Sequence, residues 1–92
     1  PYSPVFRRMM VAAVLARAGL ADSARAVSAG AHRLAAGDAE LETSLLWDEA
    51  YLRLLLGERG RAAALLERFV AARPSLRGYV AREPVFSEVW RP

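Results

Sequence analysis

His32 is the chain's single imidazole, and Ser28 lies four residues before it. On a helix that spacing puts the two side chains on one face, within reach of each other. A histidine acting as a general base also needs an orienting acid. Asp22 is a candidate, but no motif holds it in place, so His32 reads as a surface or boundary residue of a helix. The second group that could do chemistry is acidic: Asp38, Glu40, Glu42, Asp48 and Glu49. Paired carboxylates can hold a hard cation, but the D-x-D-x-D-G pattern of a calcium loop is absent. Capping and the helix dipole explain the first three carboxylates. Glu49 and Arg53 form an i,i+4 pair in the favourable order, expected to be a solvated ion pair. Gly57-Glu58-Arg59-Gly60 lacks the spacing of a phosphate-binding loop and reads as a turn between helices.

Composition removes further chemistries. The 92 residues contain no Cys, so a disulfide, a thiolate zinc site and a catalytic thiol are all excluded. All thirteen basic residues are Arg, and the missing Lys removes a P-loop, a Schiff base and a kinase-type nucleotide site. No metal, no cofactor and no enzymatic activity are expected. Apolar types make up 54% and charged types 25%, which suits one small globular domain and argues against disorder.

The net charge of +3 is unevenly laid out. Residues 1–36 carry +4, residues 37–49 carry −5, and residues 50–92 carry +4. Arg59, Arg61, Arg68, Arg73 and Arg77 could contact phosphates, and Arg61 and Arg68 share a helix face. Basic ends around an acidic middle do not form the continuous basic surface of a nucleic-acid binder, and no aromatic–basic interleaving supports base stacking. The longest apolar run, residues 9–16, is far short of the roughly 18–20 residues of a membrane span. A chain that starts at Pro1 is expected to be processed or a piece of a longer one. A cytoplasmic setting is the default expectation.

The elements that must position these residues are helical. Phe6, Met9, Met10, Ala13, Val14 and Arg17 recur at 3–4 spacing, which predicts a first helix over 5–18 ended by Gly19. A second helix is expected over 21–36, with Ala24, Val27, Ala31 and Leu34 as its apolar stripe. Asp38 is a preferred N-cap for a third helix over 39–56, which is apolar around most of its girth and should be covered on two sides. A fourth helix is expected over 61–72. After Pro74 a short helix and a last turn from Glu83-Pro84 follow, with Val85, Phe86, Val89 and Trp90 on one face. No strand pattern appears.

The helices repeat. Gly19 and Gly57, Ala24 and Ala62, Ala12 and Ala50, Val14 and Leu52, and Val27 and Leu65 are all 38 residues apart. The second unit reads Leu56-Gly57-x4-Ala62-x3-Leu66-x7-Pro74, which resembles the second half of a tetratricopeptide (TPR) repeat. The first unit keeps Gly19, Ala24 and Ala31, but has Ser28 at the large position and Ala36 at the proline. The spacing of 38 exceeds the family's period of about 34. Glu49 and Arg53 stand where the family has a packing Leu and Tyr. Residues 77–86 are similar to segments that close TPR arrays in multidomain bacterial proteins. On physical grounds, Tyr79, Phe86 and Trp90 could cover the open side of the last hairpin.

The expected architecture is therefore all-α, a single domain of two antiparallel helical hairpins in the manner of a TPR-like α-solenoid fragment. Residues 5–36 form the first hairpin, 39–73 the second, and 75–91 a C-terminal capping segment. The resemblance implies a groove lined by the first helix of each unit, with Met9, Ala13, Arg17, Trp47, Tyr51 and Leu55 facing it and Glu49 and Arg53 tuning its charge. The expected function is a non-catalytic protein–protein interaction or scaffolding module, part of a larger bacterial-type protein, that binds a protein or peptide partner. The alternative is a homodimerisation domain that uses the apolar third helix against its copy. An Arg-rich nucleic-acid-binding domain ranks below both.

Overall fold

Ser3 starts the first helix: its Oγ accepts the Phe6 N–H at 3.1 Å, and Pro4 fills a first-turn position that has no N–H to satisfy. The computed structural model describes residues 3–90. Five helices follow in order: α1 (Pro4–Arg17), α2 (Ala21–Ala35), α3 (Ala39–Leu55), α4 (Arg59–Ala72) and α5 (Arg77–Arg82). Single 3-10 turns at Pro74–Leu76 and Pro84–Phe86 flank α5. No strand occurs among the described residues. No described helix is long and apolar enough to cross a membrane.

The two hairpins close in the same way. Gly19 and Gly57 follow α1 and α3 with φ of +81° and +79°. At the first turn the Leu20 N–H reaches the Leu15 carbonyl and the Gly19 N–H the Ala16 carbonyl. At the second, Glu58 reaches Arg53 and Gly57 reaches Leu54. This paired bonding satisfies the last carbonyls of each helix and needs a residue that tolerates positive φ. A Cβ at Gly57 would meet nothing within 4 Å, so only the backbone penalty remains. Gly57→Ala is therefore expected to lower the stability by about 1–2 kcal/mol, read as a lower urea midpoint at unchanged slope. An unchanged midpoint would contradict this account.

α1 pairs with α2 and α3 with α4, while α3 also lies along α1 and touches α2. The radius of gyration of 12.7 Å matches the roughly 12 Å of one packed body of this length, so the hairpins do not splay apart. α3 is the shared wall. Its Leu45 and Leu52 pack with Val5, Met9, Ala12, Ala24, Ala31 and Ala35 of the first hairpin. Its Ala50 packs with Leu66, Phe69 and Val70 of α4 and with Val80, Phe86 and Trp90 of the tail. Small residues on α2 let the helices approach closely.

Several sequence expectations are corrected. α4 begins at Arg59 rather than at residue 61, and Glu58 precedes it without a side-chain capping bond because its carboxylate is held by Arg25 and Arg53. The buried stripe of α2 is Ala24, Ser28, Ala31 and Ala35, while Val27 is half-buried and Leu34 is 49% exposed. Hydrophobicity alone placed that stripe one step away from the face that α3 covers. On α1, Val5, Met9 and Ala12 are buried, whereas Met10 is exposed and Val14 is 62% exposed. In the capping segment Phe86 and Trp90 are buried as expected, but Tyr79 is 54% exposed and Val80 takes the inward place. Residue 91, the last of that segment, lies outside the described residues.

Candidate functional site

The junction of α2 and α3 holds a buried polar cluster. Glu49 is only 3% exposed. Ser28 Oγ donates to its Oε1, and His32 Nε2 sits 3.0 Å from the same oxygen. Arg53 Nε donates to Glu49 Oε2 at 2.6 Å, and Arg53 Nη1 reaches Glu58 Oε1 at 2.7 Å. Arg25 of α2 completes the row, 2.8 Å from Glu58 Oε2. Burial pushes the Glu49 carboxyl up, but hydrogen bonds from Ser28 and His32 and the charge of Arg53 outweigh it and hold the group below its ordinary value. The expected solvated ion pair is thus a buried, fully donated carboxylate. It also explains Ser28: the position that takes a large apolar residue in the second unit here supplies a donor.

This cluster is not arranged as a nucleophile relay. Ser28 and His32 both bond the same carboxylate oxygen, the serine is buried, and its proton is directed at Glu49 rather than at the imidazole. An open pocket of about 290 Å³ beside it is lined by His32, Glu42, Leu46, Leu65 and Arg68. Arg61 and Arg68 do share a face, bounding a shallow depression with Arg53, Ala64 and Leu65. The acidic run is dispersed: Asp38 caps α3 through the Leu41 N–H at 3.1 Å, Asp48 faces α1, and Glu49 faces α2.

On the other side of α3 an apolar groove runs against α1. Its first part, about 170 Å³, is lined by Phe6, Met9, Met10, Ala13, Asp48 and Tyr51. A second part of about 260 Å³ shares Phe6 and Asp48 and adds Ser44, Trp47, Phe69 and Arg73. Arg17 donates to the Tyr51 hydroxyl and lies over its ring, 5.5 Å from the centroid. Arg73 stacks on Phe69 at 6.0 Å. The groove is therefore aromatic and thioether-rich along its floor, with an arginine near each end and one carboxylate between them.

Of the residues that the sequence assigns to a groove, Met9, Ala13, Tyr51 and Trp47 come together here, and Arg17 clasps Tyr51. Met9 is mostly a core residue. Trp47 serves two surfaces, since its ring also meets Phe69 at 5.5 Å, Tyr79 at 5.4 Å and Phe86 edge-on at 4.8 Å. Leu55 is half-buried and is not part of the groove lining. Glu49 and Arg53 turn away toward α2. The third helix is enclosed by both hairpins and leaves no large apolar side chain exposed; α1 carries Met10, Val11 and Val14 exposed, while Leu20, Leu34, Tyr79 and Val85 are exposed elsewhere. Sequence reasoning missed Phe6, Phe69, Arg73 and above all Asp48. The available signal was its spacing, because Ser44, Trp47, Asp48 and Tyr51 recur at 3–4 intervals and only one of the four is charged.

Asp48 is half-buried, and among the described residues it has neither a hydrogen bond nor an ion pair. Burial raises its carboxyl from 3.8 to about 6. Between these values the folded chain binds more protons than the unfolded one, so this group lowers stability as pH rises from 3.8 to about 6. Asp48→Asn should accordingly stabilise the domain at pH 7 by about 1–2 kcal/mol, allowing for partial solvent screening. The gain should vanish near pH 4; urea titrations at the two pH values measure it, and equal gains at both would refute the cause.

Compared with protein-family models, curated proteins and solved structures, the chain has no match.

Proposed function

We propose that this domain is a non-catalytic interaction module, TPR-like in design, that holds a segment of a partner protein in the groove between α1 and α3. The observation that carries this reading is the groove itself: aromatic, thioether and alanine side chains on the first helices of two repeated hairpins, left open where those helices run side by side. Such a surface gives a peptide apolar anchors on preformed helices, which reduces the ordering cost of binding. The glycine turns at matching positions, 38 residues apart, support the repeat relation. The Ser28–Glu49 bond supports it further, since it supplies a physical reason for the departures at both positions. A catalytic reading has less behind it, because the Ser28 hydroxyl is committed to Glu49.

Ala13 is the cleanest position for a test: it lines the groove, is half-buried, and tolerates a longer helix-favouring side chain. Random heptapeptides displayed on phage and selected on the immobilised domain should yield binders that Ala13→Gln no longer retains, with its far-UV circular dichroism unchanged. Binders indifferent to Ala13→Gln, or no binders at all, would reject the groove. Self-association is the second reading, favoured by exposed Met10, Val11 and Val14 on α1. Light scattering at micromolar concentration separates it: a monomer removes it, and a dimer dispersed by Val14→Glu supports it.

A further inference from the structure

The groove contains a charge that the fold itself does not use. Asp48 stands where the two parts of the groove meet, with Phe6 on α1 common to both. Glu49, the next residue, receives three side-chain donors, whereas Asp48 receives none among the described residues. The flanking arginines are engaged elsewhere: Arg17 bonds the Tyr51 hydroxyl, and Arg73 stacks on Phe69. Neither pairs with Asp48. A carboxylate held in an apolar trough without a partner costs stability, and burial alone raises its proton affinity. Its surroundings suit a cation. Trp47, Tyr51 and Phe6 present rings on either side, and a lysine or arginine can lay its methylenes along Met9, Met10 and Ala13 while its head meets the acid.

Resting on the groove reading above, we infer that Asp48 is the specificity residue of the site and that the partner segment inserts a lysine or arginine side chain against it. The aromatic walls hold the stem, and the carboxylate supplies the charge that the cation needs once it leaves water. An acidic side chain at the same register is disfavoured by direct repulsion.

The same heptapeptide selection tests this, run in parallel on the wild-type domain and on Asp48→Asn and read by sequencing. The wild type should enrich Lys or Arg at one fixed register, and Asp48→Asn should lose that preference while remaining folded and more resistant to urea. For a synthetic peptide of the selected sequence, replacing its basic residue by norleucine should weaken binding to the wild type about tenfold or more and leave binding to Asp48→Asn nearly unchanged. Groove binders sensitive to Ala13→Gln but without a basic register, or with the same register on Asp48→Asn, overturn the role of Asp48 and leave the groove standing. Selection of no groove binders overturns both.

Discussion

Phe86→Ala is expected to lower the stability by about 3–5 kcal/mol, the largest loss from any single side chain in the tail. The whole domain has roughly 5–14 kcal/mol to lose. Phe86 is fully buried, stands edge-on to Trp47 at 4.8 Å, and lies in the cluster formed by Ala50, Leu66, Phe69, Val70, Val80 and Trp90. Besides Phe86 the tail is held by the buried Val80 and Trp90 side chains and an exposed Arg59–Glu88 ion pair, and its own backbone adds little. α5 is six residues long, the flanking 3-10 turns are three residues each, and their backbone bonds are local. A segment of that kind is docked by its side chains rather than by its own helical cooperativity. Removing the ring should therefore release the segment as well as create a cavity. Chemical denaturation measures the first effect. A red shift of Trp47 and Trp90 fluorescence, with faster tryptic cleavage after Arg77 and Arg82, measures the second. Tyr79→Ala is the contrast: its ring touches Trp47 but is 54% exposed, and a loss of about 1 kcal/mol or less is expected. Equal losses for the two variants would mean that the tail does not act as a cap.

Glu49→Ala should cost about 3 kcal/mol, at the lower end for breaking a buried ion pair, because Arg53 keeps Glu58 as a partner. On a domain this small that corresponds to a fall in Tm on the order of 12–24 °C. The double variant Ser28→Ala/Glu49→Leu removes the acid together with its buried donor and should recover much of the loss, a coupling that a thermodynamic cycle quantifies. The pH dependence has a definite sign. The Glu49 carboxyl is held below its unfolded value of 4.5, so its contribution is present above that pH and is lost as pH falls through the lower folded value. The gap between wild type and Glu49→Ala should shrink on acidification. Asp48 acts in the opposite direction between 3.8 and about 6. A stability gap for Glu49→Ala that is constant down to pH 3 would show that packing, not the charge cluster, is what the residue provides.

Helix positions were legible in the sequence because their causes are local. Asp38 caps α3 with its own side chain, Gly19 and Gly57 adopt the positive φ that closes a hairpin, and Pro74 prevents α4 from continuing unchanged. The repeat at 38 and the two-sided burial of α3 were legible for the same reason, since they follow from spacing along one chain. What no local signal carries is which neighbour covers which face. Leu34 is more apolar than Ser28, yet Ser28 is buried and Leu34 is exposed, because α3 lies over the serine face and brings a carboxylate to it. Asp48 and Glu49 are consecutive acids of the same charge, about 100° apart around one helix. The approach of α2 gives one of them Ser28 and His32 as partners besides Arg53 of its own helix, and the approach of α1 leaves the other alone in an apolar groove. Propensity and period are properties of a segment, whereas the environment of a charge belongs to the surface that packs against it, and only the tertiary structure assigned these two acids to different roles.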